Sequence, residues 1–470
     1  MIFVKRYFLA KQPTLASLTD KIELFSRTIA QLTKRVEHLE KENAMLREKL
    51  SKYENPKNSQ NSSLPPSKDE NRPLRTKSLR EKTGKRPGGQ PGHDGNTLKM
   101  ASTPDKILKH IPDYCSCCGD NISDLPCEFV GRRQVVDIPP VQPEYTEHRV
   151  YQKVCRCGHI TKRDFPTGVN TPVSYGSNVE SLIGYFHCRQ YIPFERMREI
   201  FHDLFGLPLS EGGLHHILKR LASKALPAYE LIRDKITCSK VVGTDETGVK
   251  INGKQHWYWT WQNETLTFIA ASENRGFKTI EENFGQGLSR SVLVHDCWKS
   301  HFQTQAHTHQ LCLAHLLREL NYFTERYKAL WPGKFKKMLK EAIELKKQMN
   351  IADYYRSYQP RSNIEDALDA LLDEEINQQH KELVSFKKRM LKYRDYLLSF
   401  LHYPDVPPDN NGSERAIRNV KVKQKISGQF KSMAGAIQFA ILRSITDTAI
   451  KNGQNVLNAL TLMANSKQTD

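Results

Sequence analysis

The stretch VVGTDETGVKINGKQHWYWTW, residues 241 to 261, decides how this chain folds. Its apolar start runs into two adjacent carboxylates, Asp245 and Glu246, and a turn then leads into a strand rich in Trp and Tyr. TLTFIAASEN (265–274) follows after a further turn at Gln262 to Glu264, so three consecutive strands are predicted. A strand that ends in acid needs a reason in a chain carrying 71 Lys and Arg against 52 Asp and Glu.

A second stretch supplies one. SRSVLVHDCWKSH (289–301) again runs an apolar strand into a carboxylate, Asp296. In an RNase H-like sheet the first and fourth strands lie side by side and parallel, which would bring Asp245 and Asp296 together. Two carboxylates at close quarters repel, and burial raises their pKa, unless a divalent cation sits between them. Hard oxygen ligands select Mg²⁺ or Mn²⁺. Phosphodiester cleavage uses two such ions, one at the attacking and one at the leaving oxygen, with a third acid completing the clamp.

Glu319, in HQLCLAHLLRELNYF (309–323), and Glu414, in PPDNNGSERAIRNVKVKQKISGQFKS (407–432), are the candidates for that third acid. Glu414 is preferred: Pro407, Pro408 and Gly412 break the preceding structure, a helix starts near Ser413, and Arg415, Arg418, Lys421, Lys423 and Lys425 follow. A helix N-terminus beside cations suits phosphate. Glu414 and Arg418 stand four apart on that helix, so an ion pair within the helix is the structural alternative.

At 470 residues the chain exceeds the roughly 250–300 at which single cores stop growing. The formal net charge of +19 favours a polyanionic partner, nucleic acid or an anionic membrane surface. No apolar run reaches the roughly 20 residues of a membrane span, and MIFVKRYFLAKQP carries no signal-peptide core, so a cytoplasmic, nucleoid-associated protein is expected.

Leu18, Ile22, Phe25, Ile29, Leu32, Val36, Leu39, Asn43, Leu46, Leu50 and Tyr53 alternate in steps of four and three, the period of a coiled-coil seam. Asn43 at a core position would fix the register of a parallel homodimer. Residues 55–99, rich in Pro, Gly, Ser and Lys/Arg, cannot bury a core and read as a flexible arm. Within it, Lys85 and Arg86 of GKRPGGQPGH are candidates for a DNA minor groove.

Six of the ten cysteines lie between Cys115 and Cys157. C-S-C-C-G and C-R-C-G-H form two knuckles, with 36 residues between Cys118 and Cys155 that include the strand-like RRQVVDIPP and EYTEHRVYQKV. Cys115, Cys118, Cys155 and Cys157 suit a tetrahedral structural Zn²⁺ in a zinc ribbon. The second knuckle is C-x-C, so Cys117 or His159 could replace one of these ligands, and Cys127 has no assigned role. Beyond it, IPFERMREIFHDLFGLPLSEGGLHHILKRLASKAL (192–226) reads as two helices. The first has Met197, Ile200, Phe201 and Leu204 on one face. Ser210 caps the second, which turns Leu214, Ile217, Leu218 and Leu221 inward. Such a unit could place Lys219 and Arg220 in a major groove or pack as an ordinary helix pair.

Taken in order, the zipper, NSSLPPSKD, GGQPGH, the knuckles around RRQVVDIPP, GTDETGVK, HDCWKSHF, HQLCLAHLLREL and NNGSERAIR resemble the transposases of the insertion sequence 66 family along nearly the whole chain. The resemblance implies an RNase H-like core and a DNA transposase that binds terminal inverted repeats and performs Mg²⁺-dependent strand cleavage and strand transfer. Asp245, Asp296 and Glu414 take the places of the family's DDE acids. Partners would be transposon ends, target DNA and, where required, accessory proteins. Arg415, Arg418, Lys423 and Lys425 are expected to contact phosphate, and Trp298 to stack near the DNA end. His309, Cys312 and His315 follow the second acid at i, i+3 and i+6, a wide spread for three metal ligands on one helix. Cys312-x-x-His315 resembles a motif near the second acid of several eukaryotic cut-and-paste transposases, which suggests a supporting role. Two other classes share parts of this pattern: a dimeric zinc-containing DNA-binding regulator without catalysis, and an RNase H-like nuclease.

A multidomain α+β chain is therefore expected. It comprises a coiled-coil helix (15–54), a basic arm (55–100), a zinc-ribbon domain (101–168) and a helix-turn-helix-like region (169–236). The core follows in two parts (237–320 and 406–470, the second with the C-terminal helices), interrupted by a helical insertion (321–405). The 117 residues between Asp296 and Glu414 make that insertion necessary.

Overall fold

Gly243 pairs with Val294 across two parallel strands, and this register fixes where the acids fall. The structure is a computed structural model that describes residues 15–58, 61–62, 69–70, 92, 98–166, 168–169 and 171–466. Its helices and strands run in the order α1 (Leu15–Glu54), β1 (Gln152–Val154), β2 (Ile160–Lys162), α2 (Ser177–Cys188), α3 (Phe194–Phe205), α4 (Glu211–Thr237), β3 (Val241–Ile251), β4 (Lys254–Gln262), β5 (Thr267–Ser272), α5 (Phe277–Phe284), β6 (Leu288–His295), β7 (Ala306–Leu311), α6 (Leu313–Tyr327), α7 (Leu330–Gln348), α8 (Gln359–Asp373), α9 (Lys381–Lys392), α10 (Asn411–Ser427), α11 (Met433–Lys451) and α12 (Val456–Asn465). They fall into two units, one drawing on residues 1–72, 149–199 and 209–470 and the other on 73–148 and 200–208.

The larger unit is built on a five-stranded mixed sheet in the order β5-β4-β3-β6-β7. The β3–β4 and β4–β5 pairs are antiparallel, as three consecutive strands joined by short turns require. The β3–β6 and β6–β7 pairs are parallel. Trp259, Trp261 and Phe268 are buried on this sheet. Burying side chains of this kind stabilises by about 1.5–3 kcal/mol each. Helix α11 is buried nearly all round because it lies between β5 and α4, while α10 covers β3 and β4.

As expected, Ser210 caps α4: its Oγ accepts the Gly213 N–H at 3.0 Å, and Leu214, Ile217, Leu218 and Leu221 form the buried stripe. Leu204 differs from expectation. It stands 62% exposed in the last turn of α3, beyond the stretch that the helix buries.

Helices α7, α8 and α9, which lie between Asp296 and Glu414 in the chain, pack with α6 around Trp331, Phe335, Leu368, Phe386 and Met390. The C-terminal end of α1 is tied to this subdomain through Arg326. Its guanidinium meets Glu48 at 2.7 Å and Glu382 at 2.9 Å. Residues just past α1 join in, with Lys57 on Glu382 at 2.9 Å and Asn61 Nδ2 donating to Glu325 Oε2 at 2.9 Å. The start of the basic segment is thus packed through polar contacts, which composition alone does not register; Asn61 and Ser62 are buried. By contrast, Ile22, Phe25, Ile29, Leu32, Val36, Leu39, Leu46, Leu50 and Tyr53 all stand exposed along α1.

In the smaller unit, RRQVVDIPP (132–140) forms no strand. Gln134 is tied instead to the Ala101 backbone, accepting its N–H at 2.7 Å and donating to its carbonyl at 2.9 Å, and Val135, Val136 and Ile138 are exposed. Of EYTEHRVYQKV only Gln152–Val154 is a strand, paired with β2 in a hairpin of the larger unit. Among the described residues no helix is long and apolar enough to cross a membrane.

Candidate active site

Beyond the Gly243–Val294 pair, Asp245 and Asp296 each lie two residues further along parallel neighbours, at the same level of the sheet. The next strand continues the row: His295 pairs with Leu311, so Cys312 follows beside Asp296. The third acid arrives from far away in sequence. Asn410, which is buried, donates from Nδ2 to the Thr244 carbonyl at 2.7 Å, accepts the Ser413 hydroxyl at 2.7 Å, and gives its N–H to Cys312 Sγ at 3.2 Å. This clamp sets the first turn of α10, and hence Glu414, against β3 and the start of α6. Gly243 permits the approach, since a Cβ there would come within 2.6–2.8 Å of Gln262 Nε2, Ser413 Oγ and Asn410 Oδ1.

Electrostatics separate the two adjacent acids of the opening stretch. Burial pushes the Asp245 carboxyl well above the usual carboxylate range, and the charges of Glu246, Asp296 and Glu414 push it further. The Glu246 N–H donates to Asp245 Oδ1 at 2.9 Å and offsets part of this. Burial raises Glu246 as well, but His301 and Arg275 outweigh it and hold the carboxyl below its ordinary value. Arg275 donates to Glu246 Oε1 at 3.0 Å, and His301 Nε2 lies 3.2 Å from Oε2. Glu246 is thus a structural anion, and among the described residues no cation pairs with Asp245.

Asp296 Oδ1 accepts the Trp298 N–H at 2.8 Å and faces His301 Nε2 at 3.8 Å. Glu414 meets Arg318 at 3.2 Å and Arg418 at 3.3 Å, so the ion pair foreseen within α10 does form. Asp296, Cys297, Trp298, Cys312, His315, Glu319 and Arg389 line a cavity of about 180 Å³. Glu319, the alternative third acid, is held there by Arg389 at 2.5 Å. A larger cavity, about 260 Å³, lies between α2 and the start of α12 and holds no acid. Among the described residues, one group of three metal-ligating side chains has its donor atoms within 4.8 Å of one another: Cys312, His315 and Glu414. Asp245, Asp296 and Glu414 do not form such a group, though the charges of Asp296 and Glu414 both act on Asp245.

Residues 172–438, more than half of the chain, match the family model described as Transposase IS66 family. The chain belongs to the IS66 family of transposases. In this transposase, residues 112–158 also match the zinc-finger binding domain of transposase IS66, and residues 11–99 match a family of unknown function, DUF6444. No curated protein matches the chain.

The other residues singled out in the transposase sequence fall in varied places. Gly119 and Gly158, one after each cysteine knuckle, adopt φ of +79° and +85°, turns that glycine makes without strain. Backbone N–H groups of Cys118 and Cys117 lower the Cys115 pKa, and those of Cys157 and Arg156 lower that of Cys155, with Cys157 also helping through its side chain. Cys127 is an exposed free thiol. Lys219 is exposed, but Arg220 donates to the buried Glu180 at 2.6 Å beside Lys224. Arg415, Arg418 and Lys425 are exposed on α10.

Lys423 corrects an expectation. It is only 4% exposed, with its amine 3.4 Å from His187 Nδ1 and its pKa lowered by burial to about 8, because it points to the inner face of the helix. Lys85 and Arg86 lie outside the described residues. Trp298 is 36% exposed and has the Arg275 guanidinium 3.8 Å above its ring. His309 is on β7, facing His295 at 3.0 Å, so a strand rather than a helix separates it from His315. Glu246, Arg275, His301 and Asn410 were not identified from sequence. The one available signal was the carboxylate pair at 245–246, which leaves one acid to be neutralised by something distant.

Proposed function

We propose that this transposase cuts and joins DNA ends with Asp245, Asp296 and Glu414 on an RNase H-like core. The observation that carries the reading is the in-register position of Asp245 and Asp296, two residues past a shared parallel pair, with Glu414 brought up by the Asn410 clamp. The strand order and directions of the sheet support the core assignment.

The donor set fits hard divalent ions: three carboxylates, with Asp245 raised by burial and then by its like-charged neighbours, are the arrangement that Mg²⁺ or Mn²⁺ relieves. Asp245, Asp296 and Glu414 would hold the ions. Bound Mg²⁺ supplies charge neutralisation for an in-line displacement at phosphorus. The chain itself positions the reactants. Arg415, Arg418 and Lys425, exposed on α10, would grip phosphates beside its N-terminus. Trp298, backed by Arg275, would offer its free face to a terminal base. The zinc-finger match supports structural zinc, with Cys115, Cys118, Cys155 and Cys157 as the ligand set that the sequence spacing suggests. The exposed seam of α1 supports a coiled-coil dimer, since a 40-residue helix with apolar side chains in steps of three and four is stable in water when a second copy covers them.

Cutting of labelled duplexes tests this reading. Mg²⁺-dependent nicking confined to inverted-repeat ends is expected from the zinc-loaded protein. Binding without cutting would make it a regulator, and cutting regardless of end sequence a nuclease. Lys425→Ala should weaken DNA binding and reduce the slope of log K against log salt by about one, whereas Lys423→Met leaves the slope unchanged.

A further inference from the structure

We propose that Cys312, His315 and Glu414 form a second metal site, one for a zinc-class transition ion, and that an ion bound there withdraws Glu414 from the acid cluster. The second clause rests on the role proposed above for Glu414; the first does not. Cys312 is the N-cap of α6 and His315 stands three residues on, so both donors face the first turn of α10. All three donor atoms lie within 4.8 Å of one another.

His315 supplies an independent observation. Its Nδ1 is buried and has no hydrogen-bond partner, a state that costs about 1–3 kcal/mol and calls for a ligand. Glu414 Oε1 is 3.9 Å away, beyond hydrogen-bond reach. That spacing is close to what two ligands of one ion need: at bond lengths of about 2.0–2.3 Å, tetrahedral ligand atoms lie roughly 3.3–3.8 Å apart. A thiolate and an imidazole select zinc-class ions over Mg²⁺.

Supporting contacts are in place as well. The Asn410 N–H already points at Cys312 Sγ and would stabilise the thiolate. Glu414 has two oxygens, so it can keep Arg318 and Arg418 while giving a lone pair to the ion. On binding, the Cys312 S–H bond breaks, its proton passes to solvent, and a sulfur–metal bond forms with no change of oxidation state. Three protein ligands leave a fourth position for water. His309, the third candidate by sequence, takes no part, because its ring is engaged with His295 across the strands.

Co²⁺ is the probe. Full-length protein, loaded with Zn²⁺ and dialysed until one Zn²⁺ per chain remains, is titrated with Co²⁺ while bound metal and thiolate-to-cobalt absorption in the near ultraviolet are followed. One further Co²⁺ per chain is expected, its absorption lost in Cys312→Ser and its affinity reduced at least tenfold in His315→Ala. No additional ion, or the same absorption in Cys312→Ser, overturns the site, and the His315→Ala arm decides the matter if Cys312→Ser fails to fold. Zn²⁺ added at the concentration that fills the site should suppress Mg²⁺-dependent cutting at least tenfold. A filled site with cutting unchanged overturns the withdrawal of Glu414 and leaves the metal site standing.

Discussion

Asp245→Asn should make the protein more stable and Glu246→Gln less stable, although the two acids are neighbours on one strand. The folded-state pKa of Asp245 is raised above its unfolded value of about 3.9, so its contribution to stability is full below that value and is lost as pH rises through the folded pKa. At neutral pH the ionised side chain destabilises the fold. The amide removes that charge and still accepts the Glu246 N–H. In magnesium-free buffer, calorimetry should show Asp245→Asn with the higher Tm at pH 7 to 8, by about 2–4 °C for each kcal/mol relieved, and the difference should vanish near pH 4.

Glu246 has the opposite sign. Its pKa is depressed, so its stabilisation is present above the unfolded value and is lost as pH falls through the folded one. Breaking a buried pair costs about 3–5 kcal/mol. Because Arg275 is 39% exposed, the lower end, about 3 kcal/mol, is expected for Glu246→Gln at neutral pH. In the cutting assay Asp245→Asn should lower the rate by about 10³-fold or more, since stabilisation of transition-state charge by metal ions amounts to several kcal/mol and each 1.36 kcal/mol is tenfold. A site in which stability is given up for chemistry behaves in this way.

Asn410→Ala should be the most damaging substitution outside the acids. It removes the donor to the Thr244 carbonyl and the acceptor of the Ser413 hydroxyl, both buried, at about 1–3 kcal/mol for each group left unpaired. It also frees the first turn of α10. A displacement of about 1 Å at a catalytic group costs on the order of 10²-fold, so cutting should fall by at least that factor while DNA binding through Arg415 and Lys425 persists. Thermal melts and cutting rates on the same preparation separate the two effects.

These residues also mark what sequence conveys. The sheet was legible because alternation, aromatic enrichment and two apolar runs ending in acid are local signals, and the parallel pairing follows once the strands are in place. The cap at Ser210 was legible from a single residue, and the start of α10 near Ser413 from the prolines and glycine before it. The Asn410 clamp was not, since PPDNNG reads only as a helix breaker until Thr244 and Cys312 are known to face it. Lys423 was misjudged for a related reason: on a helix covered from one side a cation faces solvent or a buried partner, and only the neighbour His187 decides which. The inner packing of Asn61 depends on Glu325, far along the chain, and no composition could reveal it.

Manganese rescue tests the acid cluster most directly. Asp296→Cys replaces a hard oxygen ligand by a thiolate, which Mn²⁺ accepts more readily than Mg²⁺. Cutting of an inverted-repeat duplex by this variant should be lost in Mg²⁺ and recovered in Mn²⁺. Cutting in Mg²⁺ at the rate of the unsubstituted protein would show that Asp296 holds no ion and would contradict the account.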